Sequence, residues 1–322
     1  MKLIIQIPCL NEEQTLAATV NELPHNIEGV DCIEVLVIDD GSDDRTVEVA
    51  KSLGVKHIVR HTTNRGLGRA FSSGLDRALK EGADIIVNTD GDGQYCGSSV
   101  DDLIRPILDD RADIVIGDRQ TAKNPEFGRG KKFLQWLGSY VVRTLSGVKV
   151  PDAVSGFRAV SREAALRLNV LSAFSYTIEM IIQAGNKQMT VLSVPVNTNP
   201  KTRASRLFSN IPQFIGRQLV GMLRMYAMYR PMRFFFYLGT VISVIGLIPV
   251  FRFLAAYWAG DGDGHLQSLV LGAAFLTMGF VVFVSGLLSD LISLNRQLNE
   301  ITLEKIRKLE LDNAGPGPGE TT

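Results

Sequence analysis

The sequence predicts an α/β domain built on a mostly parallel sheet, followed by a membrane-associated C-terminal part. Three observations predict this organisation. Short runs rich in Ile and Val alternate with helical patterns over residues 1–198. A basic segment without acidic residues follows, and two long uncharged stretches come after it. Alternation of strands and helices is typical of parallel sheets that are covered by helices on both faces.

Six segments have the length and the apolar content of buried strands. They read KLIIQIP, IEVLVID, KHIVR, DIIVNTD, DIVIGD and MTVLSVPV. Helical patterns, NEEQTLAATVNEL and SDDRTVEVAKSLG, separate the first three strands. In the second pattern, Ser42 is the expected N-cap and Gly54 is the expected helix stop. The first 198 residues are therefore predicted to form one domain.

Residues 199–233 form the basic segment, which contains no Asp or Glu. Its LFSNIPQFIGRQLVGMLRMYAMYR stretch mixes apolar residues with widely spaced arginines, a pattern typical of helices that lie on anionic lipid. An ordinary surface helix is the alternative, and the absence of acids disfavours it. The basic residues are Lys201, Arg203, Arg206, Arg217, Arg224, Arg230 and Arg233.

Residues 234–251 and 266–289 are free of charge over 18 and 24 residues. A hydrocarbon core needs about 20 apolar residues per helix, so 234–289 is predicted to be a transmembrane hairpin. Basic residues flank the hairpin but are absent from the connecting AGDGDGH, which places both termini and the α/β domain in the cytoplasm. Two buried helices of a soluble domain are the alternative. Residues 290–322 are expected to form a cytoplasmic helix and a disordered tail.

Composition adds three expectations. Formal net charge is zero, and no nucleic-acid partner is expected. Cys9, Cys32 and Cys96 show neither CxxC nor zinc spacing, which indicates a reducing compartment. The N-terminal MKLIIQIPCLNEE lacks the pattern of a secretory signal and is read as the first strand.

The most informative stretch is NTDGDGQY, which follows the fourth predicted strand. Open α/β sheets bind ligands at the carboxyl ends of their strands. Alternating carboxylates, Asp90 and Asp92, indicate a hard divalent cation such as Mg²⁺ or Mn²⁺. An EF-hand loop is excluded, because Tyr95 and Asp101 stand where that loop needs Gly and Glu. A polar turn without a ligand is the alternative.

Two other predicted strands also end in polar groups. Pro8 and Glu12 follow the first strand, and Asp39 and Asp40 end the second. The segment NRGLGRAFSSG lacks the third glycine of a dinucleotide-binding loop, and no P-loop occurs in the sequence. These residues therefore predict a nucleotide that carboxylates hold by its ribose and base, with a metal ion on its phosphates.

Six motifs occur in a fixed order over roughly the first two hundred residues. Together they resemble those of family 2 glycosyltransferases, in the dolichyl-phosphate mannosyltransferase-like branch that transfers sugars to dolichyl or polyprenyl phosphate. The resemblance implies a GT-A fold, an inverting transfer from a nucleotide sugar, and a C-terminal two-helix membrane hairpin. The motifs are Pro8-x-x-Asn11-Glu12, Asp39-Asp40-Gly41-Ser42, Asn64-x-Gly66-x-Gly68, Asp90-x-Asp92-x-Gln94, Gly117-Asp118-Arg119 and Ser155-Gly156-Phe157-Arg158.

The resemblance also implies roles for individual residues. The metal ligands would be Asp90, Asp92 and Gln94. The nucleotide contacts would be Pro8, Glu12, Asp39, Asp40, Gly66 and Asp90. Relatives carry Arg-x-x-Gly-x-Ser-Lys before the membrane part, and the corresponding sequence here is NPKTRASRLF. The candidates for the diphosphate contact are therefore Lys201, Arg203 and Arg206.

The acceptor phosphate requires cations, because the reaction holds two anions close together. Its second pKa is about 6, so it attacks without a general base, and Gly156 can stand where some relatives have an acid. The predicted catalytic residues are Asp92, Arg119 and Lys131. The predicted acceptor-phosphate contacts are Arg119, Arg129, Lys131, Lys132, Ser155 and Arg158. A solvated face or lipid contact is the alternative for Arg129 and Lys132, and bracing of the fold is the alternative for Arg158.

The predicted function is metal-dependent transfer of a single sugar from a UDP- or GDP-sugar to polyprenyl or dolichyl phosphate at the cytoplasmic membrane face. Two alternatives stay open: another membrane acceptor, diacylglycerol or protein, and a degenerate, non-catalytic membrane scaffold. A processive polymerase is disfavoured, because Gln-x-x-Arg-Trp is absent. The exposed amphipathic helices are compatible with a homo-oligomer.

Overall fold

The computed structural model describes residues 1–120, 142–144, 146–170, 176–199, 223–224, 226–260 and 265–313. The chain divides into two compact units. The α/β unit comprises Met1–Arg206 and Thr302–Thr322, and the apolar unit comprises Leu207–Ile301.

The elements of the α/β unit alternate between strands and helices over most of its length. The strands are β1 (Lys2–Cys9), β2 (Cys32–Asp39), β3 (His57–Arg60), β4 (Ile85–Asn88), β5 (Ile114–Asp118), β6 (Arg158–Ser161) and β7 (Val191–Pro195). The helices are α1 (Leu16–Asn21), α2 (Thr46–Ser52), α3 (Leu67–Lys80), α4 (Ser99–Leu108), α5 (Arg162–Arg167) and α6 (Tyr176–Asn186).

The seven strands form one sheet in the order β3-β2-β1-β4-β6-β5-β7. Strand β6 is antiparallel to β4 and β5, and the other pairings are parallel. The six predicted strands and the mostly parallel α/β architecture are confirmed. Strand β6 was not predicted, because the four residues RAVS carry too short a pattern to signal a strand.

The core lies between the sheet and its helices. Seven of the eight residues of β1 are buried, and α3 packs against β1 and β2 while α4 packs against β5. Both helices turn an apolar face to the sheet. Phe71 and Leu75 of α3 and Leu103 and Ile104 of α4 are buried on these faces. Each such side chain stabilises the fold by about 1.5–3 kcal/mol through burial. This core fixes the sheet edge at which the polar loops emerge.

The start of α2 differs from the prediction. The helix begins at Thr46, so Ser42 is not its N-cap. The Ser42 hydroxyl instead accepts a hydrogen bond from the Asn11 main-chain N–H, over 2.9 Å. Asp44 Oδ1 receives the Thr46 N–H over 3.0 Å. The predicted stop is confirmed, because Gly54 has φ +72° immediately after the C-cap.

The apolar unit contains helix α7 (Pro231–Trp258) and most of helix α8 (Leu266–Asn313). Both are long and apolar enough to cross a membrane, and the most apolar window of each has a mean hydropathy of 2.2. Only 11% of that window is buried in α7 and 17% in α8. They extend beyond the uncharged stretches, since helical backbone also accommodates the flanking charged residues.

Glycines line the contact between α7 and α8. A Cβ on Gly239 would lie 3.1 Å from the Gly279 carbonyl oxygen, and one on Gly246 would lie 3.1 Å from the Gly272 carbonyl oxygen. These glycines repeat every seven residues on each helix, so the two backbones approach closely along one seam. Small residues at helix contacts are typical of membrane helix pairs, and the arrangement fits the predicted hairpin.

Some predictions concern residues that the structure does not describe. They include most of the basic segment and the tail from residue 314 onward, which stay predictions.

The last turns of α8 belong to the α/β unit. There, Arg307 Nη1 donates to the Leu168 carbonyl oxygen over 2.8 Å and to Asn169 Oδ1 over 2.9 Å.

Candidate active site

The loops that follow β1, β2 and β4 meet at the carboxyl edge of the parallel strands. The Asn11 N–H bonds Ser42 Oγ and so joins the first loop to the second. Thr15 Oγ1 donates to the Gly91 carbonyl oxygen over 2.8 Å and joins the first loop to the third. Strand β6 begins at this same edge, because Arg158 pairs with Asn88 at the end of β4. The sheet thus gathers the polar motifs in one place.

Asp40 uses both carboxylate oxygens to hold the segment that precedes α3. Its Oδ1 lies 2.7 Å from His61 Nδ1 and accepts the Arg65 N–H over 2.9 Å. Its Oδ2 accepts the Gly66 N–H over 2.8 Å. His61 Nε2 in turn lies 3.0 Å from Ser73 Oγ. Asp40 and Gly66 therefore brace one another, and His61 is a buried, satisfied histidine that the sequence did not single out as part of the site.

Asp39 is placed differently from its neighbour. Its carboxylate is completely buried, and Oδ1 accepts the Ser42 N–H over 2.9 Å. Its Oδ2 lies 3.2 Å from Arg60 Nε, but this ion pair lacks hydrogen-bond geometry and Oδ2 has no hydrogen-bond partner. The Arg60 side chain is 65% exposed. A buried acceptor that lacks a donor costs free energy, and a ligand N–H would satisfy it.

Pro8 and Glu12 lie against the start of the β4 loop. A Cβ on Gly91 would lie 3.3 Å from Glu12 Cγ and 3.5 Å from the Pro8 carbonyl oxygen. The buried Glu12 carboxylate accepts a hydrogen bond from Thr15 Oγ1 over 2.8 Å. The glycine after Asp90 therefore allows the first and third loops to pack without a gap.

The loop that carries Asp90, Asp92 and Gln94 is held by the chain that follows β7. Gln94 N donates to Asp92 Oδ1 over 3.1 Å, and the Gln94 carbonyl oxygen accepts the Asn199 N–H over 2.8 Å. Tyr95 forms an isolated antiparallel bridge with Thr198. These main-chain contacts fix the loop beside residues 198 and 199, where the basic segment begins.

The electrostatics of this loop are those of crowded negative charge. Burial and then the Asp92 carboxylate raise the pKa of Asp90 to about 7, against the opposing effect of Arg119. In the part of the chain that the structure describes, no three His, Cys, Asp or Glu side chains form a metal-binding group. Two carboxylates and the Gln94 amide nevertheless fit Mg²⁺ or Mn²⁺, because such ions in phosphate sites take only one or two protein carboxylates beside water and substrate oxygens.

Arg119 lies at the end of β5 in a paired state. Its Nε donates to Asp152 Oδ2 over 2.7 Å, and its Nη2 donates to Asp152 Oδ1 over 3.0 Å. Burial alone would lower the pKa of Arg119, but Tyr95, Asp152 and Asp90 raise it above the usual value. The guanidinium is therefore a fixed cation near the Asp90 loop. Asp152 was not predicted, because a lone aspartate in PDAVSGF carries no spacing signal.

The geometry of Arg158 argues against its predicted contact with the acceptor phosphate. The side chain is completely buried. Its Nε, Nη1 and Nη2 each donate over 2.7 Å to a main-chain carbonyl oxygen, those of Ser155, Thr177 and Ala153 respectively. A phosphate in solution cannot reach this buried guanidinium without a rearrangement, and Ser155 is equally buried. Arg158 braces the segment before β6, which is the alternative that the sequence left open.

Asn88 is a further site residue that the sequence did not assign. Its Nδ2 donates to the Gly156 carbonyl oxygen over 2.9 Å and to Tyr176 Oη over 3.1 Å. Its Oδ1 accepts a hydrogen bond from Gln6 Nε2 over 2.9 Å. The amide thus ties β4 to β1, to α6 and to the segment before β6. Its position two residues before Asp90 was the sequence feature that could have indicated a role in the site.

The remaining predicted site residues lie outside the described residues, so their roles stay predictions. They are Arg129, Lys131, Lys132, Lys201, Arg203 and Arg206.

The fold and the motifs agree with the family that the sequence matches. Residues 4–168 match glycosyl transferase family 2, and the chain belongs to this family. It is a glycosyltransferase with a GT-A fold.

Two relatives match this chain over different shares of its length. A UDP-N-acetylglucosamine–dolichyl-phosphate N-acetylglucosaminyltransferase of Methanococcus voltae is 31% identical over 219 residues, which is 60% of this chain and 83% of the relative. The glycosyltransferase AglJ of Haloferax volcanii is 27% identical over 312 residues, which is 95% of this chain and 97% of the relative.

Solved structures show the same fold at lower identity. A crystal structure of glucosyl-3-phosphoglycerate synthase from Mycobacterium tuberculosis, in complex with Mn²⁺ and UDP-glucose, has a TM-score of 0.53 at 20% identity. The match covers 70% of this chain and 78% of that chain. At this identity the likeness supports the fold and not the substrate.

Proposed function

We propose that the protein transfers a single sugar from a UDP- or GDP-linked donor to polyprenyl or dolichyl phosphate, with the help of Mg²⁺ or Mn²⁺ and with inversion at the anomeric carbon. Family membership supports sugar transfer, and the name of the Methanococcus voltae relative supports a lipid phosphate acceptor. Donor, metal and stereochemistry belong to the proposal.

One observation carries the proposal. The sheet edge holds the carboxylate pair Asp90 and Asp92 near a fixed guanidinium, that of Arg119, which Asp152 orients. Sugar transfer to a phosphate brings a diphosphate and a second anion together, so it needs separate places for two anions. The carboxylates suit a metal-bound diphosphate, and the guanidinium suits the acceptor phosphate.

Asp39 is the residue that we assign to the nucleotide base. Its Oδ2 is buried without a hydrogen-bond partner, so it would accept a ring N–H from uracil or guanine. Pro8 and Glu12 would contact the nucleotide from the adjoining loop. Asp40 and Gly66 contribute by holding the wall of the site, because their polar groups already bond one another.

Asp90, Asp92 and Gln94 would hold the divalent ion, whose chemistry is to neutralise the charge of the leaving diphosphate. Arg119 would hold the acceptor phosphate in line with the anomeric carbon, assisted by Lys131 and its neighbours in sequence. The acceptor oxygen is mostly deprotonated at neutral pH, so no side chain has to remove a proton. A single in-line displacement inverts the configuration.

We assign α7 and α8 to the bilayer, and the α/β unit and both termini to the cytoplasm. The hydropathy of the helices and the basic residues that flank them support this assignment.

Cys32 is exposed in the α/β unit, whereas Cys9 is buried. A membrane-impermeant maleimide should therefore label Cys32 in inverted vesicles but not in intact cells, with Cys32→Ser as the control. Labelling in intact cells would reverse the proposed topology.

The first experiment is sugar transfer by the full-length protein in detergent, with a panel of labelled UDP- and GDP-sugars, undecaprenyl phosphate, and either Mn²⁺ or EDTA. One donor should give labelled lipid in Mn²⁺ and none in EDTA. Labelled diacylglycerol or protein instead of polyprenyl phosphate would favour the alternative acceptors. Absence of both transfer and Mn²⁺–UDP binding would favour the non-catalytic scaffold.

A further inference from the structure

Gly156 and Asp90 lie just beyond the end of the antiparallel pairing of β4 and β6. The last paired residues are Asn88 and Arg158. Continuing this register by two residues brings Asp90 across from Gly156, so the two are cross-strand neighbours just beyond the end of the ladder. Side chains at such positions normally lie in contact.

The Asp90 carboxylate occupies the space that a side chain on Gly156 would need. A Cβ built on Gly156 would lie 2.8 Å from Asp90 Oδ1 and 2.9 Å from Oδ2. Contacts this short do not persist between a carbon and an oxygen, so one of the two groups would have to move. The φ of Gly156 is not among the positive values, which means that glycine is required here for space and not for backbone conformation.

The segment that contains Gly156 is held on both sides of its peptide groups. Its N–H donates to Tyr95 Oη over 3.2 Å. Its carbonyl oxygen accepts hydrogen bonds from Asn88 Nδ2 over 2.9 Å and from Tyr176 Oη over 3.4 Å. The Tyr95 ring also stacks on Phe157 at a centroid distance of 4.9 Å. The Asp90 side chain is therefore the group that would yield to an added Cβ.

We propose that Gly156 is a positioning residue whose missing side chain sets the placement of the Asp90 carboxylate, and thereby the divalent-metal site. The proposal rests on the proposed function insofar as Asp90 is a metal ligand. In this chain the position is reserved for the carboxylate of Asp90, so a side chain at 156 would disturb the site and not supply a base.

Mn²⁺ binding in the presence of UDP is the first test, measured by electron paramagnetic resonance on the full-length protein. Gly156→Ala should weaken Mn²⁺ binding about 10-fold or more, the size of effect seen when a group that orients a metal ligand is lost. Gly185→Ala in α6 is the matched control, because the nearest atoms to its Cβ are main-chain atoms of Ser146 and no atom of the β4 loop is among them. It should lower stability while leaving Mn²⁺ affinity unchanged. Wild-type Mn²⁺ affinity in Gly156→Ala would overturn the proposal.

A double-mutant cycle provides a readout that does not depend on metal. The free energy of unfolding lost through Gly156→Ala should be smaller in an Asp90→Ala background, because the opposing carboxylate is gone. An equal loss in both backgrounds would show that the added methyl meets something else and would overturn the proposal.

These readouts separate the proposal from the proposed function. A wild-type protein that binds Mn²⁺ and UDP but transfers no sugar to polyprenyl phosphate would overturn the acceptor only. A wild-type protein that binds no Mn²⁺ would overturn both the metal-dependent function and the metal-positioning role of Gly156.

Discussion

Two loops at the same sheet edge carry paired carboxylates, but the surroundings of these carboxylates differ. In the β2 loop (residues 39–46), the Asp40 carboxylate contacts His61 and two main-chain N–H groups. In the β4 loop (residues 90–95), Asp90 is half-buried beside another carboxylate, and desolvation and then Asp92 raise its pKa to about 7. Both loops follow parallel strands, so their difference comes from what surrounds them.

The two loops show the difference between carboxylates that brace the fold and carboxylates that are placed to bind a ligand. A carboxylate that accepts several N–H groups is a stable anion and needs no ligand. A carboxylate that is buried beside a like charge is costly until a cation arrives. We therefore expect substitutions in the β4 loop to change chemistry and those in the β2 loop to change stability, with Asp39 as the exception.

The largest effect should come from the β4 loop. Asp92→Asn should lower kcat of sugar transfer by about 10³-fold, since a divalent ion contributes several kcal/mol to charge stabilisation and each 1.4 kcal/mol is about tenfold in rate. Gln94→Ala should have a smaller effect in the same direction. Both would be measured with saturating donor and Mn²⁺. Asp101→Asn on the surface of α4 is the control and should retain wild-type activity.

Asp152→Asn tests the fixed cation that faces the β4 loop. Loss of the bidentate pair should raise the acceptor KM about 10-fold, and the broken, mostly buried ion pair should reduce the free energy of unfolding by up to about 3 kcal/mol. Donor binding should stay unchanged. Arg119→Lys should reproduce the KM effect, because lysine keeps the charge but lacks the planar fork. An acceptor KM within twofold of wild type would reject the role of Arg119 in acceptor binding.

Asp40→Asn addresses the β2 loop. Hydrogen bonds to a charged carboxylate contribute about 1.5–3 kcal/mol each, so the free energy of unfolding should fall by about 2 kcal/mol. Mn²⁺ affinity should not change. Asp39→Asn should instead weaken UDP or GDP binding, measured by calorimetry, with less effect on stability. If the two variants show the reverse pattern, the assignment of bracing to Asp40 and base binding to Asp39 is wrong.

The smallest effect concerns pH. Burial alone would raise the pKa of Asp44, but hydrogen bonds from the Thr46 side chain and from the Glu13 and Thr46 N–H groups outweigh it and lower the pKa. A lowered folded-state pKa contributes stability that is present above the unfolded value of about 3.9 and lost as pH falls below it. The free energy of unfolding, measured with urea, should therefore decrease more steeply as pH falls below 4 in wild type than in Asp44→Asn. Parallel pH profiles would contradict this account.

Particular residues show how far sequence patterns reach into the site. Asp90, Asp92, Asp39 and Arg119 were found because each follows an apolar strand, and parallel strands bring such positions to one edge. Asp152, His61 and Asn88 were missed because their partners are distant in sequence, such as Arg119 for Asp152 at 33 residues. For Arg158 the structure favours the bracing alternative, which the sequence could not separate from phosphate binding because burial cannot be read from a short motif.

The sequence by itself determined the α/β class, the six predicted strands, the two apolar helices and the family, because periodicity, length and short motifs are local properties of the chain. Only the tertiary structure decided that β6 runs antiparallel to β4 and that Gly156 lies against Asp90 beyond the end of their pairing. It alone distinguished Asp40, whose carboxylate is hydrogen-bonded, from Asp90, whose pKa is raised by desolvation and by Asp92. The physical reason is that charge compensation and free space depend on neighbours that the fold brings together from separate parts of the chain.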